Sequence, residues 1–310
     1  MTLLIDIRQP EWMSEEALRD EIAPLLPGVT IHAGIEDGDL SDVTMLATVR
    51  LFDGVAAQLP NLKVVQKLGA GVDGIVRDPD LPASVKVARL KPNGPAQEIA
   101  EYCLAYVLRE QRNMPAHEAD AKKREWNEIP PKINADTTVG VLGLGHIGGR
   151  TASLFAHLGF RVLGWAQSQK TIDGVDCRAG TEALPGLLGE CDFVCSILPS
   201  TPLTIDLFDA ELFAAMKPGA IIINAGRGDL IVDADLIEAL DNGLGGAVLD
   251  VFREEPLPAD HPFWSLEKVI VTPHVSGWHA ENANADIAEN YKRMTDGRPL
   301  LNEVDRNAGY

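Results

Sequence analysis

Arg227 and His274, with an acidic pair at Glu254 and Glu255 between them, are the residues whose types and surroundings could do chemistry. Arg227 stands in Asn-Ala-Gly-Arg-Gly after an apolar run, and its guanidinium could hold a carboxylate through two hydrogen bonds. His274 stands in Val-Thr-Pro-His, and its imidazole could transfer a proton near neutral pH. A carboxylate against the other ring nitrogen would favour the imidazolium and fix the tautomer. This set could bind a small carboxylic acid and protonate an oxygen of it.

A glycine-rich turn indicates where a dinucleotide could bind. Residues 143–148, Gly-Leu-Gly-His-Ile-Gly, match G-x-G-x-x-G, with an apolar run before them and a helical pattern after them. Gly143 would permit the tight turn, Gly145 would let backbone N–H groups approach a pyrophosphate, and Gly148 would let helix and strand pack closely. A glycine-rich turn without a ligand is the alternative. Together with Arg227 and His274, the turn predicts a dehydrogenase of small 2-hydroxy or 2-keto acids.

The end of the second strand of this block bears on the choice of dinucleotide. An acidic residue there binds the ribose 2′-hydroxyl of NAD, but this chain has Ala166 at that place. Gln167, Ser168 and Lys170 could bind a 2′-phosphate, whereas Asp173 and Asp176 are interpreted as loop residues. The segment therefore favours NADP. NAD stays open, because the segment contains no Arg for a bidentate grip on the phosphate.

Composition and charge exclude several classes of protein. The 310 residues carry 46 acidic and 27 basic side chains, a net charge of -19, which argues against nucleic-acid or anionic-membrane partners. The four cysteines form no Cys-x-x-Cys pair and no zinc-type spacing, so no metal site is predicted. No apolar run reaches membrane-spanning length and no signal peptide is evident. A cytoplasmic protein of two domains is expected.

Strand-like and helix-like segments alternate along the chain, which predicts an α/β fold with parallel sheets. In the first block, strands are predicted at 3–7, 43–49, 63–67 and 85–88, and helical segments at 14–25, 53–59 and 72–77. A strong helix is predicted at 97–114, with Pro115 just past its end. Six strands follow, at 138–142, 160–165, 191–197, 220–224, 246–250 and 268–272, with helices near 147–158, 181–189, 209–216 and 233–242. A last helix is predicted at 278–297.

Several segments together resemble the D-isomer-specific 2-hydroxyacid dehydrogenase family, and the glyoxylate/hydroxypyruvate reductase branch most closely. The resemblance runs nearly end to end. It rests on Leu68–Asp73, Gly143–Gly148, Leu198–Pro199, Lys217–Ala220, Asn224–Gly228, Leu249–Phe252 with Glu255–Leu257, His261–Trp264, Thr272–His274, Val304–Arg306 and Gly309–Tyr310. That branch typically has Arg where this chain has Gln167 and Gln169, so the cofactor preference stays open between NADP and NAD.

The resemblance implies specific roles for residues of this chain. Arg227 would bind the carboxylate and carbonyl of the substrate, and His274 would be the general acid in reduction. The Glu-Pro spacing of the family selects Glu255 over Glu254 as the partner of His274. Backbone N–H groups at Ala70 and Gly71 would hold the substrate carboxylate, and Trp278 could close over the substrate. The residues implied in cofactor binding are Gly143, Gly145, His146, Ile147, Gly148, Gln167, Ser168, Lys170, Leu198, Pro199, Ala225, Gly226, Arg227, Asp250 (accepting from the nicotinamide carboxamide), His274 and Gly277.

The family also implies a domain arrangement and a homodimer. Two Rossmann-like, doubly wound parallel-sheet domains are expected, with the active site in a cleft between them. A discontinuous substrate domain would comprise 1–96 and 278–310, and a dinucleotide-binding domain 97–277. The helix at 99–114 is a candidate dimer contact. Two other functions occur on this fold: a formate dehydrogenase, disfavoured because formate needs no proton donor, and a dinucleotide-sensing transcriptional corepressor, disfavoured because the chain shows no extension for partner docking.

Overall fold

The computed structural model describes residues 2–9, 12–279 and 283–306. Gly309–Tyr310, part of the family-like pattern, and residues 280–282 of the predicted last helix lie outside these ranges. The chain divides into two compact units: unit 1 comprises Met1–Asn93 and Ala280–Tyr310, and unit 2 comprises Gly94–His279. The chain thus crosses between the units after residues 93 and 279, where the sequence predicted crossings after 96 and 277.

Unit 1 contains a five-stranded parallel sheet with the order β2-β1-β3-β4-β5. The strands are β1 (Thr2–Asp6), β2 (Thr30–Ala33), β3 (Val43–Thr48), β4 (Val64–Lys67) and β5 (Lys86–Arg89). The helices are α1 (Glu15–Ile22), α2 (Asp73–Val76) and, after the second crossing, α9 (Ala283–Thr295). The strand β2 was not predicted from the sequence. This edge strand is partly exposed, so it lacks the apolar run that reveals a strand buried on both faces.

Both faces of the unit 1 sheet are covered. One buried cluster combines side chains of β1 and β3 with Leu18 of α1 and with Ile287 and Tyr291 of α9. A second cluster packs β1, β3 and β4 against the segments around Val55 and Ile75. Every residue of β1 and β3 is buried, which explains why both strands are mostly apolar and do not alternate between apolar and polar residues. The predicted helix at 53–59 is only a short 3-10 turn, Ala56–Gln58.

Unit 2 contains a seven-stranded parallel sheet with the order β12-β11-β10-β9-β6-β7-β8. The strands are β6 (Thr138–Leu142), β7 (Arg161–Ala166), β8 (Val175–Ala179), β9 (Phe193–Ser196), β10 (Ile221–Asn224), β11 (Gly246–Leu249) and β12 (Val269–Val271). The helices are α3 (Asn93–Gln111), α4 (Met114–Lys123), α5 (His146–His157), α6 (Leu184–Leu188), α7 (Ala210–Ala214) and α8 (Asp233–Asp241). Two buried clusters cover the two faces of this sheet. The fold is the predicted doubly wound α/β fold, and the strand order reverses direction at β6, where ligands bind in such sheets.

Three sequence-based expectations for unit 2 were wrong in detail. The sheet has a seventh strand, β8, and Asp176 lies on it rather than in a loop. The helix predicted to end before Pro115 ends at Gln111, and α4 then begins at Met114 with Pro115 in its first turn, where proline is tolerated. Residues 278–279, predicted to start the last helix, are not helical. Among the described residues, no helix is both long and apolar enough to cross a membrane.

Candidate active site

The glycine-rich turn joins β6 to α5, and two of its glycines are required by packing. Gly143 has φ +96°, and a Cβ there would lie 2.6 Å from the carbonyl oxygen of Ile197. A Cβ on Gly148 would lie 1.8 Å from the carbonyl oxygen of Gly143. No side chain fits at either position, because the obstructing atoms belong to the backbone. Gly148 thus allows the start of α5 to pack directly on the turn.

Gly145 differs from these two glycines, because a Cβ there would meet no atom within 4 Å. The protein's own packing therefore does not require glycine at this position. Gly145 is exposed and is the N-cap of α5, whose first residues are His146 (exposed) and Ile147 (half-buried). The N–H groups at a helix start and their partial positive charge attract an anion. The open space at Gly145 fits a pyrophosphate group there.

The end of β7 presents small and polar residues. Ala166 is buried at the strand end, and Gln167, Ser168 and Lys170 are exposed after it. The side-chain amide of Gln169 donates to the carbonyl oxygens of Lys170 and Cys177, each at 3.0 Å, and so holds the loop against β8. The loop offers hydroxyl, amide and ammonium groups to a 2′-phosphate, and its first carboxylate, Asp173, comes seven residues after Ala166.

Arg227 follows β10 in a loop that the side chain of Asn224 organises. The Asn224 amide donates to the carbonyl oxygen of Arg227 at 2.8 Å and accepts from Gly226 N–H at 3.1 Å. Arg227 Nη1 donates to the carbonyl oxygen of Gly226 at 2.7 Å. A Cβ on Gly226 would lie 2.7 Å from Leu198 O, and one on Gly228 1.9 Å from the carbonyl carbon of Phe252. Glycines flank Arg227 because the loop runs directly over neighbouring backbone.

His274 and Glu255 form a hydrogen-bonded pair, as the sequence predicted. His274 Nδ1 lies 2.7 Å from Glu255 Oε2, and Glu255 Oε1 accepts from Phe252 N–H at 2.9 Å. His274 has φ +54°, in the left-handed region that costs a non-glycine residue about 1–2 kcal/mol. Its N–H donates to the carbonyl oxygen of Asp250 at 2.8 Å, which helps to hold this conformation. About half of the His274 side chain (51%) is exposed, so its ring is accessible to a ligand.

The charges around Glu255 keep its carboxyl group ionised. Burial alone would raise the pKa of Glu255, but the hydrogen bonds from His274 and Phe252 and the positive charges of His274 and Arg227 bring the pKa below its ordinary value. An ionised carboxylate only accepts hydrogen bonds, so Nδ1 of His274 is the donor in this pair. Nε2 is then the nitrogen that can exchange a proton with a substrate. His274 and Arg227 thus both act electrostatically on Glu255.

Asp250 holds the loop that carries His274. Its buried carboxylate accepts from Thr272 Oγ1 at 2.6 Å and from the N–H groups of Val275 and Ser276, both at 2.9 Å. Because the Thr272 hydroxyl donates to Asp250, the Tyr102 hydroxyl at 2.7 Å donates to Thr272. Burial raises the pKa of Tyr102. The contact of Asp250 with nicotinamide stays a prediction. The role of Asp250 in positioning the 272–276 loop was not predicted, because that role depends on contacts that exist only in the folded loop.

A carboxylate on α3 holds the last residues of unit 2, a feature that was not predicted from the sequence. Glu98 Oε2 accepts from the N–H groups of Trp278 at 2.6 Å and His279 at 3.2 Å, and Glu98 also contacts His279 Nδ1. Burial opposes the ionisation of Glu98, but these hydrogen bonds bring its pKa below the ordinary value. Trp278 is 45% exposed. Gly277 packs against Ile99, whose side chain would lie 3.0 Å from a Cβ.

The remaining predicted site residues lie at the carboxyl ends of strands. In unit 2, buried Leu198 and half-buried Pro199 follow β9, and buried Ala225 follows β10. In unit 1, Ala70 and Gly71 follow β4 in a turn that begins with Gly69 at φ +156°. Arg89 Nη1 donates to the carbonyl oxygen of Ala70 at 3.0 Å and holds this turn. The role of Arg89 was not predicted, since no motif links it to the turn.

Comparison with known proteins agrees with this geometry. The sequence profile described as the NAD binding domain of D-isomer specific 2-hydroxyacid dehydrogenases matches residues 104–276. A glyoxylate/hydroxypyruvate reductase A of Serratia proteamaculans is 39% identical over 256 residues, which are 80% of this chain and 82% of that protein.

Two crystal structures resemble the whole chain. A D-isomer specific 2-hydroxyacid dehydrogenase of Xanthobacter autotrophicus, in complex with NADPH and MES, is 37% identical with a TM-score of 0.92 over 100% of this chain and 99% of that one. An NADPH-dependent glyoxylate/hydroxypyruvate reductase of Sinorhizobium meliloti, in complex with NADP and sulfate, is 35% identical with a TM-score of 0.89 over the same shares. Together with the profile match and the His274–Glu255 pair, these likenesses establish that the chain belongs to the D-isomer specific 2-hydroxyacid dehydrogenase family.

Proposed function

We propose that this protein reduces glyoxylate, hydroxypyruvate or a similarly small 2-keto acid to the D-2-hydroxy acid, with NADPH as the preferred cofactor. The observation that carries the proposal is the 2.7 Å pair of His274 and Glu255, with Arg227 near enough to lower the pKa of the same carboxylate. This set combines a proton donor, the group that fixes its tautomer and a cation that binds carboxylates. The names of the similar reductases support the choice of substrate.

In this proposal each residue has one task. The Arg227 guanidinium binds the substrate carboxylate and polarises the keto oxygen. His274 Nε2 donates a proton to that oxygen as negative charge develops on it, while Glu255 stabilises the positive charge of the ring. The bound nicotinamide supplies the hydride that reduces the keto carbon. Asp250 keeps His274 in place through the 272–276 loop.

Other residues are proposed to bind the ligands. The amides at Ala70 and Gly71 would bind the substrate carboxylate, and Trp278 would contact the substrate. For the cofactor, the N-terminus of α5 at Gly145 would bind the pyrophosphate, and Ser168 and Lys170 the 2′-phosphate. The similar structures that contain NADP or NADPH support this preference.

The test is initial rates with glyoxylate and hydroxypyruvate, each with NADPH and NADH in parallel. The proposal expects NADPH oxidation with at least one of these acids and a higher kcat/KM with NADPH than with NADH. If no small 2-keto acid oxidises either cofactor, the function is wrong. If NADH is preferred, Gln167, Ser168 and Lys170 do not bind a 2′-phosphate and only the cofactor assignment fails. The comparisons give no support to the corepressor alternative, because the similar curated proteins are reductases.

We also propose that two copies of this chain form a dimer through the arm 112–133. Large apolar side chains of this arm lie open to solvent, with exposures of 91% for Trp126, 64% for Ile133 and 47% for Met114. Exposed apolar groups concentrated in one segment mark an interface. Light scattering should give a dimer for the wild type and a weaker dimer for Trp126→Ser, whereas a monomeric wild type would contradict the proposal. A cytoplasmic location is proposed on the free thiols of its cysteines.

A further inference from the structure

The carboxyl ends of β1, β3, β4 and β5 lie side by side at one edge of the unit 1 sheet. In the parallel register, the last residue of each strand lies opposite the last residue of its neighbour. Adjacent strands are about 4.8 Å apart, so side chains at these ends or just past them on adjacent strands are close neighbours. We call one group of them the cationic edge: Arg8, Arg50, Arg89 and Lys91.

Two members of the cationic edge share one aromatic ring. The guanidinium carbons of Arg8 and Arg50 lie 4.2 Å and 4.7 Å from the ring centroid of Phe52. Arg8 is also neutralised by Asp6, which accepts two of its hydrogen bonds at 2.9 and 3.0 Å. Cation–π contact fixes the position of a guanidinium but leaves its N–H groups able to donate. Arg50 is therefore held in place with its donors available.

The other two members are Arg89 and Lys91. Arg89 is half-buried and donates to Ala70 O at 3.0 Å. Burial lowers the pKa of Arg89, and burial together with the charge of Arg89 lowers the pKa of Lys91. Within residues 2–9, 12–279 and 283–306, no salt bridge joins Arg50, Arg89 or Lys91 to a carboxylate.

Arg50, Arg89 and Lys91 thus place three cations at this edge without a carboxylate partner among the described residues, and Arg50 and Lys91 are exposed. Acidic side chains outnumber basic ones by 46 to 27, so carboxylates to pair with these cations are plentiful. Like charges placed together destabilise the folded protein. An anion from outside the chain would remove that cost. The Ala70–Gly71 turn, proposed to bind the substrate carboxylate, lies at the same edge of the sheet. A substrate with one carboxylate satisfies the turn but leaves Arg50 and Lys91 without a counter-ion.

We propose that Arg50 and Lys91 bind a second carboxylate of the substrate, so that 2-keto dicarboxylic acids are substrates of this enzyme. Arg89 is a positioning residue that holds the Ala70–Gly71 turn between them. This proposal rests on the proposed reductase function and adds a substrate class to it. The four-carbon pair of oxaloacetate and 2-oxobutyrate is the matched probe, because the two acids share a carbon skeleton and differ in the second carboxylate.

The experiment measures kcat/KM for both acids with NADPH, using the full-length wild type and three variants. The wild type should favour oxaloacetate by about tenfold, the effect of one charge-assisted hydrogen bond. Arg50→Gln and Lys91→Gln should each remove most of that preference, mainly by raising KM for oxaloacetate. Lys63→Gln is the control, because it removes an exposed cation at the opposite, amino end of β4 and should leave the preference unchanged.

The outcomes separate the two proposals. Equal kcat/KM for both acids in the wild type would overturn the second-carboxylate subsite while glyoxylate reduction stands. An equal loss of kcat/KM for both acids in Arg50→Gln and Lys91→Gln would also overturn the second-carboxylate subsite, because the cationic edge would then provide only a general positive field. If the wild type reduces neither these acids nor glyoxylate, the proposed function fails and this inference fails with it.

Discussion

A substitution at Gly145 should separate an effect on cofactor affinity from an effect on folding stability most clearly. A Cβ at Gly145 meets nothing within 4 Å, and its backbone, with φ -79° and ψ -157°, is in a region open to alanine. Gly145→Ala therefore costs only the weaker N-cap preference of alanine, about 0.5–1 kcal/mol. For a domain of this size that lowers the Tm by about 1–4 °C.

The same methyl group lies where the pyrophosphate is proposed to approach the start of α5. Losing one hydrogen bond from the backbone to a charged oxygen costs about 1.5–3 kcal/mol. That is a rise of about 10- to 150-fold in the Kd for NADPH. The loss of folding stability and the loss of NADPH affinity can therefore be measured separately, because only the loss of affinity involves the ligand.

The assay is calorimetric titration with NADPH, together with a thermal scan of each variant. Gly186→Ala is the control for stability, because it also adds a methyl group in open space but lies in α6, away from the turn. It should leave the Kd unchanged and raise the Tm by about 1–4 °C, because alanine is about 0.5–1 kcal/mol more favourable than glycine inside a helix. Wild-type NADPH affinity in Gly145→Ala would refute the assignment of the turn. A collapse of the fold would refute the packing argument.

Three further changes test the parts of the site. Glu255→Gln should lower kcat about tenfold or more through loss of a charge-assisted bond to His274; an unchanged kcat would remove Glu255 from the mechanism. Because folding lowers the pKa of Glu255, its stabilising effect is present above about pH 4.3 and is lost as the pH falls through the lowered value. The Tm difference between wild type and Glu255→Gln should therefore narrow from pH 7 towards pH 3.5, and a widening gap would contradict the sign. Asp250→Asn leaves an N–H of the 272–276 loop without an acceptor and should cost about 1–3 kcal/mol in denaturant unfolding, together with a fall in kcat; full activity would show that the loop does not depend on this carboxylate. Gly228→Ala, with its Cβ 1.9 Å from the Phe252 backbone, should destabilise unit 2 by about 3 kcal/mol or more, and wild-type stability would show that the loop can shift.

The features that were predicted correctly from the sequence are those that a local pattern of residues determines. The glycine turn, the strand ends and the Glu255–His274 pair were all found, because each is a short motif whose position relative to a strand is fixed. The doubly wound α/β class followed from long apolar runs alternating with helical patterns. These features depend on residues near one another in the chain or on a recognised spacing.

The features that the sequence missed depend on partial burial or on long-range contacts. The strands β2 and β8 lie at sheet edges with partly exposed faces, so their residues carry little apolar signal. Glu98 accepts from residues 180 and 181 positions away, and no spacing rule connects them. Arg89 was missed for the same reason, since its hydrogen bond to the Ala70 backbone exists only in the folded sheet.

The most direct test of the central claim compares the wild type with His274→Ala. Glyoxylate-dependent NADPH oxidation and the Kd for NADPH are measured on the same preparations. With His274 as the proton donor, His274→Ala should lower kcat by about 10²–10⁴-fold and leave the Kd within about threefold. Turnover unchanged in His274→Ala, or lost only in step with NADPH affinity, would contradict the claim that this pair performs the acid chemistry.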